Sequence, residues 1–107
     1  MGNENPSNNG AEMYDFDFQA AAQVEKAARR ALPNVVARAI PGVRKGAPVV
    51  YLIVDNGTIA YHASGKAAVL LTAIETCETF DTLGQALRSN RKVELIVSPA
   101  QRTKARR

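Results

Sequence analysis

The sequence predicts an α+β domain: a two-layer sandwich whose four-stranded, mostly antiparallel sheet carries helices on one face, in the order α-β-β-β-α-α-β. Three observations lead there. Val49 to His62 reads VVYLIVDNGTIAYH, two β-rich runs about Asn56-Gly57, and that dipeptide is the strongest short-range hairpin signal. Apolar residues recur at spacings of three and four in residues 16–31 and again in residues 67–77, one helical face in each case. Lys92 to Val97 (KVELIV) supplies one more strand near the end. The 107 residues suffice for one domain, and 46% hydrophobic against 22% charged residues supports a packed core. With no Trp and 6% aromatics, that core must be mostly Val, Leu, Ile and Ala.

Residues 1–13, rich in Asn, Gly, Ser and Pro, read as a disordered tail ahead of a single domain over residues 14–99. The first helix is expected after Asp15 as N-cap, with Asp17 near its positive end. Phe16, Ala20, Val24, Ala27 and Ala31 form its apolar face, and Leu32 before Pro33 ends it. Val35 to Ile40 is a short strand that Pro41-Gly42 breaks, followed by a loop, PGVRKGAP. Val49 to Val54 is nearly all apolar and reads as a central strand covered on both faces, with Tyr51 inside. A type I′ turn with positive φ at both Asn56 and Gly57 leads to Thr58–Ala63. In that strand Ile59 and Tyr61 share one face, and Thr58, Ala60 and His62 the other.

Ser64 is the expected cap of a second helix with the stripe Ala67, Leu70, Leu71, Ile74 and Cys77, ending near Phe80. Thr82 and Gln85, with Asp81 as a competing cap, open a short third helix containing Leu83, Ala86 and Leu87. Asn90 is its expected left-handed end. The last strand is stopped by Ser98-Pro99, and residues 100–107 (AQRTKARR) form a mobile basic tail. Val50, Leu52, Leu70, Leu71, Ile74, Leu95 and Val97 are the expected core.

Composition excludes several function classes. No apolar run approaches the ~20 residues of a membrane helix. The polar start MGNENPSNNGAE lacks a basic-then-apolar export pattern, and Pro6 stands where a myristoylation motif wants Ser or Thr. The single cysteine, Cys77, forms no internal disulfide and suits a reducing cytoplasm. Ser64-Gly65-Lys66 sits between strand and helix, where free N–H groups attract anions. A phosphate loop would need Gly and Ser or Thr where Ala60 and Ala67 stand, so the motif reads as an ordinary helix start with an exposed lysine. His62 is the only histidine, so a metal site lacks partners, and a dyad with Cys77 would need strand and helix to bring the two together. The carboxylates read as caps and solvated faces rather than an acid–base pair. No cofactor and no catalytic residue is expected.

Charge carries the functional signal. The net +4 resolves into −4 over residues 1–28, +5 over 29–46, −3 over 47–83 and +6 over 84–107. Basic blocks of this kind suit phosphate neutralisation. The candidate nucleic-acid contacts are Arg38, Arg44, Lys45, Lys66, Arg88, Arg91, Lys92, Arg102, Lys104, Arg106 and Arg107. The bland alternative is a solubilising surface and tail.

Over about residues 18–80 the α-β-β-β-α order, with Gly65-Lys66 opening the second helix, resembles the double-stranded-RNA-binding domain plan. The resemblance implies phosphate contacts by lysines in that helix's first turn, and here only Lys66 fits. Pro41 to Gly57 resembles the opening hairpin of roadblock-type dimerisation modules. Both are analogies of fold. The sequence therefore points to a small, cytoplasmic, non-catalytic accessory protein that contacts DNA or RNA through its basic loop and C-terminal arm. The alternative is a protein–protein interaction module, an adaptor or inhibitor that can dimerise through its sheet.

Overall fold

Helix α1 (Phe18–Ala31) leads into the strands β1 (Val36–Arg44), β2 (Ala47–Asp55) and β3 (Ile59–Gly65). Helices α2 (Ala67–Thr76) and α3 (Phe80–Arg88) follow, and β4 (Glu94–Pro99) returns to the sheet. The structure, a computed structural model, describes residues 16–100. The sheet order is β1-β2-β3-β4, and every pairing is antiparallel. The expected α+β class and element order are both present. Among the described residues no helix is long and apolar enough to cross a membrane. The expected disordered tail over residues 1–13, the basic tail beyond Ala100 and the Asp15 cap fall outside the described residues.

Asp17 caps α1, its Oδ1 accepting from the Ala20 N–H at 2.9 Å. The buried stripe is Ala21, Val24, Ala28 and Leu32. It lies one step round from the expected one, whose Ala20, Ala27 and Ala31 flank it half-buried while Phe16 is exposed. The helix ends where Leu32 meets Pro33, the Leu32 N–H donating to the Ala28 carbonyl at 2.9 Å.

Pro41-Gly42 does not break β1, which runs on to Arg44. The Glu25 carboxylate accepts from the Ala39 N–H at 2.8 Å, and Arg29 Nε donates to the Ala37 carbonyl at 3.1 Å. Odd-numbered residues of β1 thus turn their backbone groups away from β2. Pro41 shares that parity, so its missing N–H falls on the free edge, the one place a strand tolerates it. Gly42 is covered by the Tyr51 ring, which a Cβ at that position would overlap. The real turn is Lys45-Gly46, with φ of +54° and +78°. It is the two-residue hairpin with positive φ at both positions that had been expected at Asn56-Gly57.

At Asn56-Gly57 only Gly57 has positive φ, +97°. The Asn56 N–H donates to the Ile59 carbonyl at 3.1 Å. Asn56 Oδ1 accepts from the Thr58 and Ile59 N–H groups at 2.9 and 3.0 Å, and Asp55 Oδ1 from the Gly57 N–H at 2.7 Å. The polar side chains therefore build this turn, with Asn56 outside the left-handed region.

Ser64 is no cap: it is buried in β3, and the N-cap of α2 is Lys66, which makes no side-chain cap bond. Helix α2 stops at Thr76 rather than near Phe80. The next cap is Thr79, one turn earlier than Thr82: Thr79 Oγ1 accepts from the Thr82 N–H at 3.1 Å, and Thr82 Oγ1 accepts from the Thr79 N–H at 2.8 Å. Asp81 lies in the first turn of α3. Asn90 is not left-handed, since Lys45 is the only non-glycine with positive φ among the described residues. Its Oδ1 instead accepts from the Lys92 N–H at 2.9 Å. The last strand starts and ends two residues later than expected, and the ladder continues through Ala100 N–H to Thr58 carbonyl at 3.0 Å.

The core lies between the helices and one face of the sheet. Val50, Leu52, Val54, Tyr61 and Ala63 meet Leu70, Ile74, Leu83 and Leu87 there, and Tyr61 stacks on Phe80 with centroids 4.2 Å apart. Val50, Leu52, Leu70 and Ile74 are core as expected, Leu71 and Leu95 are half-buried, and Val97 is exposed. Val97 points to the helix side, across from buried Tyr61, but on the edge strand it is 42% exposed.

Candidate interaction surface

Among the described residues no helix covers the second face of the sheet. Strand β2 is not enclosed on both sides: Val50, Leu52 and Val54 are buried while Tyr51 and Ile53 face out, 38% and 41% exposed. Strand period two fixes the rest of that face. Arg38 lies across from Ile53 and Ile40 across from Tyr51 on β1. His62 lies across from Ile53 on β3, and Ile96 across from His62 on β4. Val36, Ile40 and Ile96 are 63%, 62% and 68% exposed. The result is a broad aliphatic surface with one aromatic ring, hollowed into a shallow concavity of about 500 Å³ between Ile40 and Ile96. Large contiguous apolar patches are rare on monomers without a binding role.

A polar rim closes one end. The Arg44 guanidinium pairs with Glu94 at 2.9 Å and donates to Ser64 Oγ at 2.8 Å, crossing from β1 to β3 and β4. Its charge is neutralised there, so Arg44 is a poor phosphate contact. His62 Nε2 meets Ser98 Oγ at 2.9 Å on the same face. Nucleophilic catalysis would need a third group to orient the imidazole, and among the described residues no carboxylate bonds to its other nitrogen. The pair reads as a cross-strand contact between β3 and β4. Cys77 lies on the other side of the sheet from His62, at the end of α2, where Sγ donates to the Ile74 carbonyl at 3.0 Å. Burial pushes its thiol pKa up, and a hydrogen bond from its own backbone N–H only partly opposes this, so the reactive thiolate is scarce at neutral pH.

The topology gathers part of the predicted cation set. β1 ends, β2 begins, β3 ends and β4 begins at one end of the sheet. Exposed Lys45, Lys66, Arg91 and Lys92 sit there, on the β1–β2 turn, the α2 start and the α3–β4 turn. Arg88 is in the last turn of α3, where it complements the helix dipole. Arg38 is apart from these, mid-strand on the open face. Arg102, Lys104, Arg106 and Arg107 are outside the described residues. They follow Ala100, which is bonded to Thr58 at the opposite end of the sheet from the cation cluster.

Sequence reasoning missed Tyr51 and Ile53 as surface residues, and the Arg44–Ser64–Glu94 group entirely. One signal was present: pairing β2 with β3 sets Ile53 and Tyr51 beside His62 and Ser64, a half-polar row that suits an open face. No protein-family model, no curated protein and no solved structure matches this chain.

Proposed function

We propose that this chain is a small non-catalytic interaction module that docks a protein partner on the open face of its sheet. The observation that carries the reading is the set of five large apolar side chains, Val36, Ile40, Tyr51, Ile53 and Ile96, exposed together on one surface. Burying them would release water from a patch that the described helices leave uncovered. Tyr51, backed by Gly42, and Arg38 are the residue types that anchor interfaces, and the Arg44–Glu94 pair supplies part of a polar rim.

A second reading, a nucleic-acid accessory role, is favoured by the exposed Lys45, Lys66, Arg91 and Lys92 at one end of the sheet. Salt separates the two. Phosphate binding loses affinity steeply, with a slope near −0.9 per duplex phosphate neutralised, whereas apolar docking does not. Partner retention on the immobilised full chain, compared at low and high salt, is expected to persist at high salt. Retention that collapses with salt, together with uptake of mixed DNA or RNA at low salt, would make the cation cluster the functional surface instead.

A further inference from the structure

We infer that the partner at one border of this face is a second copy of the chain, joined antiparallel along the β4 edge about a twofold axis at Ile96. The inference rests on the reading of the sheet as an interaction surface and deepens it.

The two sheet edges are unequal. The β1 edge is partly closed: the Glu25 carboxylate accepts from the Ala39 N–H, Arg29 donates to the Ala37 carbonyl, and Pro41 removes one donor. The β4 edge is open. The Ala100-to-Thr58 bond sets the parity of the ladder, so Glu94, Ile96 and Ser98 bond β3 while Leu95 and Val97 point outward. Among the described residues nothing bonds the outward N–H and C=O groups of Leu95 and Val97. An edge of this kind is a template for another strand.

The strand is self-complementary in one register. With Leu95 opposite the second copy's Val97, both residues exchange N–H and C=O bonds in each direction, and every outward donor and acceptor of the two is used. Ile96 then faces its own symmetry mate on the open surface, Glu94 faces Ser98, and half-buried Leu95 covers exposed Val97 on the helix side. No like charges oppose each other. A shift centred on Leu95 would require the Val93 N–H, which already donates to the Asn90 carbonyl at 3.1 Å. A shift centred on Val97 would require a donor from Pro99, which has none. Neighbouring registers are thus penalised, and an unequal partner strand would have no such constraint to satisfy. The join extends each open face into one continuous floor.

Two variants test this on the full chain. In the central register the Ile96 pair is not hydrogen-bonded across the axis, so its Cα atoms approach to about 4.5 Å, within reach of a disulfide. Ile96→Cys in a Cys77→Ser background is expected to oxidise to a covalent dimer, while Val36→Cys in the same background stays monomeric. Val97→Pro deletes an N–H that only the second copy uses, so the fold should hold while the solution mass falls from twice the chain mass to one. A wild type that stays monomeric at high micromolar concentration overturns the inference. So does a dimer that survives Val97→Pro and does not cross-link through Ile96→Cys. Either failure leaves the open-face reading standing if Ile53→Lys still abolishes partner retention, because Ile53 lies two strands away from the β4 edge. If Ile53→Lys has no effect while the β4 dimer forms, the open-face reading fails and the edge pairing stands.

Discussion

Leu70→Ala is expected to cost about 2–5 kcal/mol, and Leu71→Ala less than half of that. Leu70 is fully buried in the core, so truncation leaves a cavity as well as lost apolar contact. Leu71, its neighbour in sequence, is only half-buried and its site can fill with solvent or relax. A loss of several kcal/mol is a large share of the roughly 5–15 kcal/mol that stabilises a typical domain. Urea unfolding of the two variants measures the difference directly. Equal costs at the two positions would mean that α2 is rotated relative to the arrangement described.

Gly84→Ala should also destabilise, against the usual trend. In an open helix interior the change would gain about 1 kcal/mol from helix propensity. Here a Cβ on Gly84 would overlap the Tyr61 hydroxyl and ring, and the ring cannot swing aside because it is stacked on Phe80 at an interplanar angle of 8°. Overpacking of this kind costs roughly 1–3 kcal/mol, and displacing both rings together places it at the upper end. Combining Gly84→Ala with Tyr61→Leu should recover part of the loss, giving a favourable coupling in a double-mutant cycle. A Gly84→Ala variant more stable than wild type would show that Tyr61 does not pass beneath α3.

Much of the fold was legible because local chemistry decided it. Leu32-Pro33 had to end α1, and Asn56-Gly57 had to reverse the chain between two β-rich runs. What was misread depends on which side of an element faces what. Proline breaks a central strand but not an edge strand whose nitrogen points outward, and the parity of Pro41 is set by pairing with β2. An all-apolar run such as Val49–Val54 reads the same whether one face or both are covered. Ser64 and Thr79 are equally good caps on paper, and tertiary structure gave Ser64 to Arg44 instead. The candidate site was less legible for the same reason. The cations could be named from charge alone, but Arg44 and Glu94 meet only because β1 and β4 border one sheet. Tyr51 and Ile53 of the apolar surface lie in a run that the sequence reads as covered on both faces.

The open face itself is tested most directly by one substitution. Ile53 sits at the centre of that face, on a strand whose inward neighbours Leu52 and Val54 hold the core. A lysine there keeps its stem along the sheet and its charge in water, so the free protein should fold with stability within about 1 kcal/mol of wild type. The charge would have to be desolvated under any partner docked on the face. Partner retention measured side by side for wild type and Ile53→Lys, at a salt concentration that suppresses phosphate binding, is expected to be lost in the variant while its circular dichroism and unfolding midpoint barely change. Undiminished retention by folded Ile53→Lys would contradict the account.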